Sequence, residues 1–148
     1  MRRLLLLSIS TLLVAGATGA EAKALKWMDA PPGLPAGAKL AVVSGDPGKA
    51  GPFKIQIKMP ADYAVAPHHH PADETVRVKS GTLNYGMGEK VDKANAGTLS
   101  DPMTHVTMAA GMNHWVFTTA PAVIEVSGTG PFQIIYANPA DDPRGASK

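Results

Sequence analysis

The chain contains no cysteine. That absence excludes disulfides, thiolate metal ligands and a lipid anchor attached through cysteine. In an oxidising compartment only the core, and any bound metal, would hold the fold together. Aromatic residues are scarce at 5%, although hydrophobic residues reach 45%, enough for a proper core. Long apolar runs are missing too: the Leu4 to Val14 run is about half of the roughly 20 residues that a spanning helix needs. Beyond that segment no stretch keeps a helical period with caps at both ends, and there is no internal repeat or low-complexity tract. Charge of one sign is lacking as well, since the formal net charge is only +2. Lys39, Lys49, Lys54, Lys58, Lys79, Lys90 and Lys93 are scattered, mostly on alternating strand positions, and read as a solvated face. This argues against a nucleic-acid partner.

What is present begins with an export signal. Arg2-Arg3 is a basic start, Leu4 to Val14 an apolar run, and small residues follow through Ala20 to Ala24. This is the layout of a secretory signal peptide, with cleavage sites after Ala20, Ala22 or Ala24. We take residues 1–22 as the signal peptide; losing Arg2, Arg3 and Glu21 lowers the net charge from +2 to +1. The expected localisation is periplasmic or secreted, with no stable membrane insertion after cleavage.

Gly 15 and Pro 13 together approach a fifth of 148 residues, which suits short strands and turns better than long helices. Residues 23–50 form an N-terminal lead and first strand, with Ala30-Pro31-Pro32-Gly33-Leu34-Pro35 irregular and lying along the body of the domain. Phe53-Lys54-Ile55-Gln56-Ile57-Lys58-Met59 alternates apolar and polar without a break, as a half-buried strand does. Strands are predicted at 39–44, 53–59, 62–68, 74–80, 82–87, 103–109, 114–119, 122–127 and 132–137. Residues 86–97 read as a loop, 51–137 as the barrel core, and 138–148 as an exposed tail. So many short strands imply an all-β antiparallel sandwich or barrel in a single domain.

The chemistry concentrates in His68, His70, Glu74 and His114. Three of the five His fall in this set, and three imidazoles with one carboxylate suit a divalent transition metal. On an extended strand His68 and His70 project to one face while His69 points away. Pro71 biases His70 toward extended geometry. Glu74 opens the alternating run Thr75-Val76-Arg77-Val78-Lys79, and His114 follows the Gly111-Met112-Asn113 turn. The alternative is a surface His run beside an unrelated Glu, with His114 merely buried.

These residues resemble the motifs of the cupins, small jelly-roll β-barrels. The first cupin motif runs Gly, five residues, His-x-His, three or four residues, Glu, six residues, Gly; His68, His70, Glu74 and Gly81 fit it. The second runs Gly, five residues, Pro-x-Gly, two residues, His, three residues, Asn; Gly111 and His114 fit it. Departures are Asp62 for the first Gly, Met103 for the opening Gly of the second motif, Ala109 for Pro and Thr118 for Asn. Asp tolerates the left-handed region, so a turn survives at position 62. Trp27, Ala30-Pro31-Pro32, Gly45-Asp46-Pro47 and the Asn138 to Pro143 tail resemble a group of secreted single-domain bacterial cupins without an assigned reaction.

The resemblance implies an antiparallel jelly-roll barrel holding one metal through His68, His70, Glu74 and His114. The donor set fits Mn, Fe, Ni, Cu or Zn and disfavours Ca and Mg, which prefer oxygen-only shells. Tyr63, Tyr85, Met87, Met108, Phe117 and Tyr136 are expected in the barrel interior, some of them in the wall of the metal cavity. His105 either joins that wall as a proton shuttle or is an ordinary strand histidine. Two readings follow: an enzyme with oxygenase-, isomerase- or decarboxylase-like chemistry on a small molecule, or a non-catalytic ligand-binding, metal-buffering or sensory module. A purely structural metal is a third. Arg77 is expected to point outward, which disfavours a strongly anionic substrate. Homodimerisation through outer strands is compatible with the sequence.

Overall fold

The computed structural model describes residues 24–145, so the segment read as a signal peptide lies outside the described residues. Eleven strands form two antiparallel sheets. They are β1 (Met28–Asp29), β2 (Lys39–Ser44), β3 (Gly51–Met59), β4 (Ala64–His69), β5 (Glu74–Ser80) and β6 (Leu83–Met87). β7 (Gly97–Leu99), β8 (Val106–Met108), β9 (His114–Phe117), β10 (Ala122–Gly130) and β11 (Ile135–Tyr136) complete them. One sheet has the order β1-β2-β3-β10-β5-β8, the other β11-β4-β9-β6-β7. Together they make an all-β jelly roll, the architecture that the strand pattern implied. Lys93–Asn95 and Pro139–Asp141 are short 3-10 turns, the latter capped by the Asn138 side chain accepting from Ala140 N–H at 3.1 Å. Among the described residues no helix is long and apolar enough to cross a membrane.

The alternation read in the sequence decides which side chains make the core. Phe53, Ile55, Ile57 and Met59 of β3 face in, as do Val76 and Val78 of β5 and Ile124 and Val126 of β10. Each such side chain contributes roughly 1.5–3 kcal/mol on leaving water. The opposite faces carry Lys54, Gln56 and Glu125; Glu125 accepts from Gln56 at 3.2 Å and pairs with Lys54 at 3.5 Å.

Two predicted strands shrink to three residues or fewer. The 103–109 run is a strand only at Val106–Met108, because Asp101 builds a turn in front of it. Its side chain accepts from Met103 N–H at 2.8 Å and its carbonyl from Thr104 N–H at 3.0 Å. The 132–137 run pairs only at Ile135–Tyr136. β1 and β7 were not foreseen; strands of two or three residues have no period to read.

The turn residues behave as their chemistry requires. Asp62 takes the left-handed conformation at φ 56°, so it replaces glycine at that turn without losing it. Thr118 donates from Oγ1 to the Pro60 carbonyl at 2.7 Å, tying β9 to the same turn. Gly81 has φ 77°, and a Cβ there would lie 2.5 Å from the Pro121 carbonyl oxygen.

Candidate metal centre

Glu74 is the first residue of β5 and lies in phase with Val76 and Val78, so its carboxylate is carried inward. His114 opens β9 in the same way, in phase with Val116. His68 and His70 reach the interior by a less regular route. Tyr63 and Val65 are buried on odd positions, whereas His68 and His70 are buried on even ones. Between Val65 and His68 the pairing with β9 shifts register. The irregularity holds Pro67, which has no N–H to give to a ladder. A bulge of this kind re-aims the following side chains, here the two histidines. Beyond it His68 is the cross-strand partner of His114.

The turn between His70 and Glu74 and the turn before His114 are joined to each other. Gly111 N–H donates to the His70 carbonyl at 2.9 Å, and Ala110 N–H to the Asp73 carboxylate at 2.8 Å.

Three imidazoles converge as a result. One ring nitrogen from each of His68, His70 and His114 lies within 4.8 Å of the others, and all three residues are buried. Their Nδ1 atoms each face a backbone carbonyl: Ala66 at 2.7 Å, Gln133 at 2.6 Å and Met112 at 3.0 Å respectively. A carbonyl only accepts, so each Nδ1 carries the proton and each Nε2 keeps a free lone pair. Orienting imidazole ligands through the other ring nitrogen is how metal sites fix tautomer and direction.

Glu74 Oε2 stands 3.2 Å from His70 Nε2 and 3.3 Å from His114 Nε2. These contacts lack hydrogen-bond alignment, so both Nε2 atoms are buried without a partner. Two donors bonded to one ion at about 2.1 Å stand roughly 3.0–3.4 Å apart, which these spacings match. Orphaned lone pairs, locked tautomers and a nearby carboxylate together fit a divalent transition metal.

The electrostatics agree. Burial, with the neighbouring His114 adding to it, lowers the His68 imidazole to about 3, so it is neutral near pH 7. Burial alone would push the Glu74 carboxyl up, but the imidazoles of His114 and His70 overcome it and take the carboxyl to about 2. Burial would also depress His70, yet the Glu74 carboxylate and the Gln133 carbonyl leave it raised. His68 is therefore neutral and Glu74 ionised, the protonation states that metal binding needs at those two positions.

No protein-family model matches the sequence, and no curated protein matches it. Solved structures do match the fold. The polyketide cyclase RemF from Streptomyces resistomycificus superposes with a TM-score of 0.65 at 14% identity, covering 86% of this chain and 89% of its own. The DMSP lyase DddQ from Ruegeria pomeroyi gives 0.61 at 20% identity over 78% of this chain and 62% of that one. An RmlC-like cupin from Shewanella frigidimarina gives 0.57 at 9% identity, covering 77% and 91%. This is a cupin fold.

Inside the cupin barrel the four residues border a narrow chamber of about 30 Å³. Of the expected wall residues, Met108 lines it, 1% exposed and paired in register with Glu74. Tyr136 is buried with its ring 5.9 Å from His68, and its hydroxyl donates to the Gly33 carbonyl at 2.9 Å. Tyr63 is buried and donates to the Pro35 carbonyl at 2.7 Å. Tyr85 is half-buried against Gly97, and Phe117 stacks on Trp115 with its back to the chamber. Met87 is 43% exposed, although it is the cross-strand partner of His114. His105 is exposed in the turn before β8, and His69 turns away to Asn113 at 3.0 Å.

Three wall residues lie outside the strands: Leu34, Phe132 and Ile134. Phe132 stacks on the His70 ring, with centroids 4.8 Å apart. Leu34 comes from the segment read as irregular, where no periodicity announces an inward side chain, whereas Phe132 and Ile134 fall in the run predicted as a strand over 132–137.

Proposed function

We propose that this protein is an exported cupin that holds one divalent transition metal through His68, His70, Glu74 and His114 and acts on a small molecule. One observation carries the reading. Three buried imidazoles have their Nδ1 protons committed to backbone carbonyls, while the Nε2 atoms of His70 and His114 have no partner. Left empty, that arrangement would leave buried polar atoms unsatisfied at a cost of about 1–3 kcal/mol each. Export rests on Arg2-Arg3, the Leu4 to Val14 run and the small residues that follow.

A metal bound there would supply Lewis-acid polarisation of a substrate oxygen, or redox chemistry if the ion is redox-active. The protein's own part is to hold four donors in fixed directions, keep Glu74 ionised and exclude bulk water. Similar folds include a polyketide cyclase and a DMSP lyase, whose names describe reactions of small molecules. Oxygenase-, isomerase- and lyase-type reactions, decarboxylation included, are the classes to test first.

The narrowness of the chamber favours a second reading, a metal-dependent carrier, buffer or sensor without turnover. Metal analysis of the mature protein, alone and with a His114→Ala variant, tests the shared premise. Near one ion per chain in the parent, lost in the variant, is the expected outcome. A parent that takes up none of Mn, Fe, Ni, Cu or Zn removes both readings.

A further inference from the structure

The chamber has a single polar pole. Apart from His68, His70, Glu74 and His114, every side chain that lines it is apolar. Among the described residues, no lysine, arginine, hydroxyl or amide side chain faces it. A divalent ion beside the ionised Glu74 leaves one positive charge, enough for one anionic oxygen. A second anionic group would be buried without a partner, which is costly.

The chamber is also stoppered. A single water needs about 10–15 Å³ of such space, so about 30 Å³ holds two or three waters, and an organic body longer than a few atoms must displace a wall. Most of the walls are strands fixed in ladders. Leu34 is different: it hangs from a strap between Ala30 and Ala38, closed by Ala30 N–H donating to the Ala38 carbonyl at 3.0 Å. It is only 7% exposed and points into the chamber. The carbonyls on either side of it, Gly33 and Pro35, are held by the hydroxyls of Tyr136 and Tyr63 at 2.9 and 2.7 Å. With Leu34 N–H donating to the Pro31 carbonyl at 2.9 Å, these few bonds stand in place of a strand ladder and fix the depth to which Leu34 reaches.

We propose that the chamber takes a small molecule with one oxygen-donor head, carrying at most one negative charge, and a short apolar body whose length Leu34 limits. The proposal rests on the metal reading above and names its substrate class. Phe132 and Ile134 line the same chamber but lie outside the strap. Phe132 N–H donates to the Pro47 carbonyl at 2.7 Å, and the Ile134 carbonyl accepts from Arg144 at 2.9 Å.

The test uses the mature protein loaded with Co(II), whose visible spectrum reports a new ligand on the ion without any turnover. Alkyl hydroxamic acids of increasing chain length are the probes, with oxalate as the doubly charged comparison. In the parent, affinity should rise over the first carbons and then fall about tenfold beyond a limiting length. Leu34→Ala should move that limit outward by about three carbons, the number removed from the side chain, and Leu34→Phe should move it inward. Cobalt stoichiometry reports whether each variant still folds around the site, and the two variants err in opposite directions. Acetohydroxamic acid should bind about tenfold or more tighter than oxalate. An unchanged limit in both variants, or tighter binding of oxalate, overturns the proposal while leaving the metal site standing. Failure of the parent to take up cobalt overturns the metal reading and this one with it.

Discussion

The Glu74 carboxylate stands 3.3 Å from His114 Nε2, although β5 and β9 belong to different sheets. His68 and His70 approach from the β4 side, on the sheet that holds β9. Donors from both layers therefore meet at one point, and an ion bound there ties the layers together.

That tie predicts a metal-dependent stability. With ligand at about a hundred times its Kd, binding to the folded state alone adds about 2.7 kcal/mol. For a domain of this size the gain corresponds to roughly 10 °C in Tm. Scanning calorimetry before and after chelation checks it; identical melting curves would show that the site does not couple the sheets.

Glu74→Gln keeps the shape and removes the charge. It should weaken metal binding by about tenfold or more, with the three imidazoles still in place. Isothermal titration with a single metal measures it. An unaltered affinity would mean that Glu74 is not a ligand.

Acid should destabilise the metal-free protein through His68. Its folded pKa, about 3, lies below the ordinary 6.5, so between those values the unfolded chain binds more protons than the folded one. Stability is then full above about pH 6.5 and falls as pH drops toward 3, by at most about 1.4 kcal/mol per pH unit for this one group. The Glu74 carboxyl, lowered to about 2 from 4.5, extends the loss below pH 4.5. His70, raised, works in the opposite direction and loses its contribution as pH rises. Urea unfolding across this range should show a flatter profile in His68→Gln than in the parent.

Two glycines separate strain from crowding. Gly81 and Gly111 both have positive φ, 77° and 73°. A Cβ on Gly111 would meet nothing within 4 Å, whereas one on Gly81 would meet backbone at 2.5 Å. Gly111→Ala should cost about 1–2 kcal/mol, the left-handed penalty alone. Gly81→Ala should cost clearly more, about 3 kcal/mol or above, since the chain must also shift. Equal losses in denaturant titrations would contradict this reading.

Much of the fold was legible because strand alternation is local. The run from Phe53 to Met59 announced its buried face, and Glu74 stood in phase with Val76 and Val78. The pattern His68-x-His70, Glu74, Gly81 and Gly111-x-x-His114 was readable for the same reason: each motif lies within one stretch of chain. Phe117 and Met87 show the limit. Both lie on strands that border the site, yet the face each presents depends on which strands neighbour it. His105 looked like part of a strand until Asp101 turned the chain ahead of it.

By itself, then, the sequence determined strand identities, the polar and apolar faces, and the donor types available for a metal. Those follow from residue chemistry and a period of two, which need no knowledge of distant partners. Tertiary structure alone decided that the irregularity at Pro67 turns His68 and His70 onto the buried face, out of phase with Tyr63 and Val65. It also decided that the Ala66, Gln133 and Met112 carbonyls hold the Nδ1 protons, and that Leu34 closes the chamber. Register shifts and strap contacts depend on pairings between residues far apart in the chain, and no local pattern encodes them.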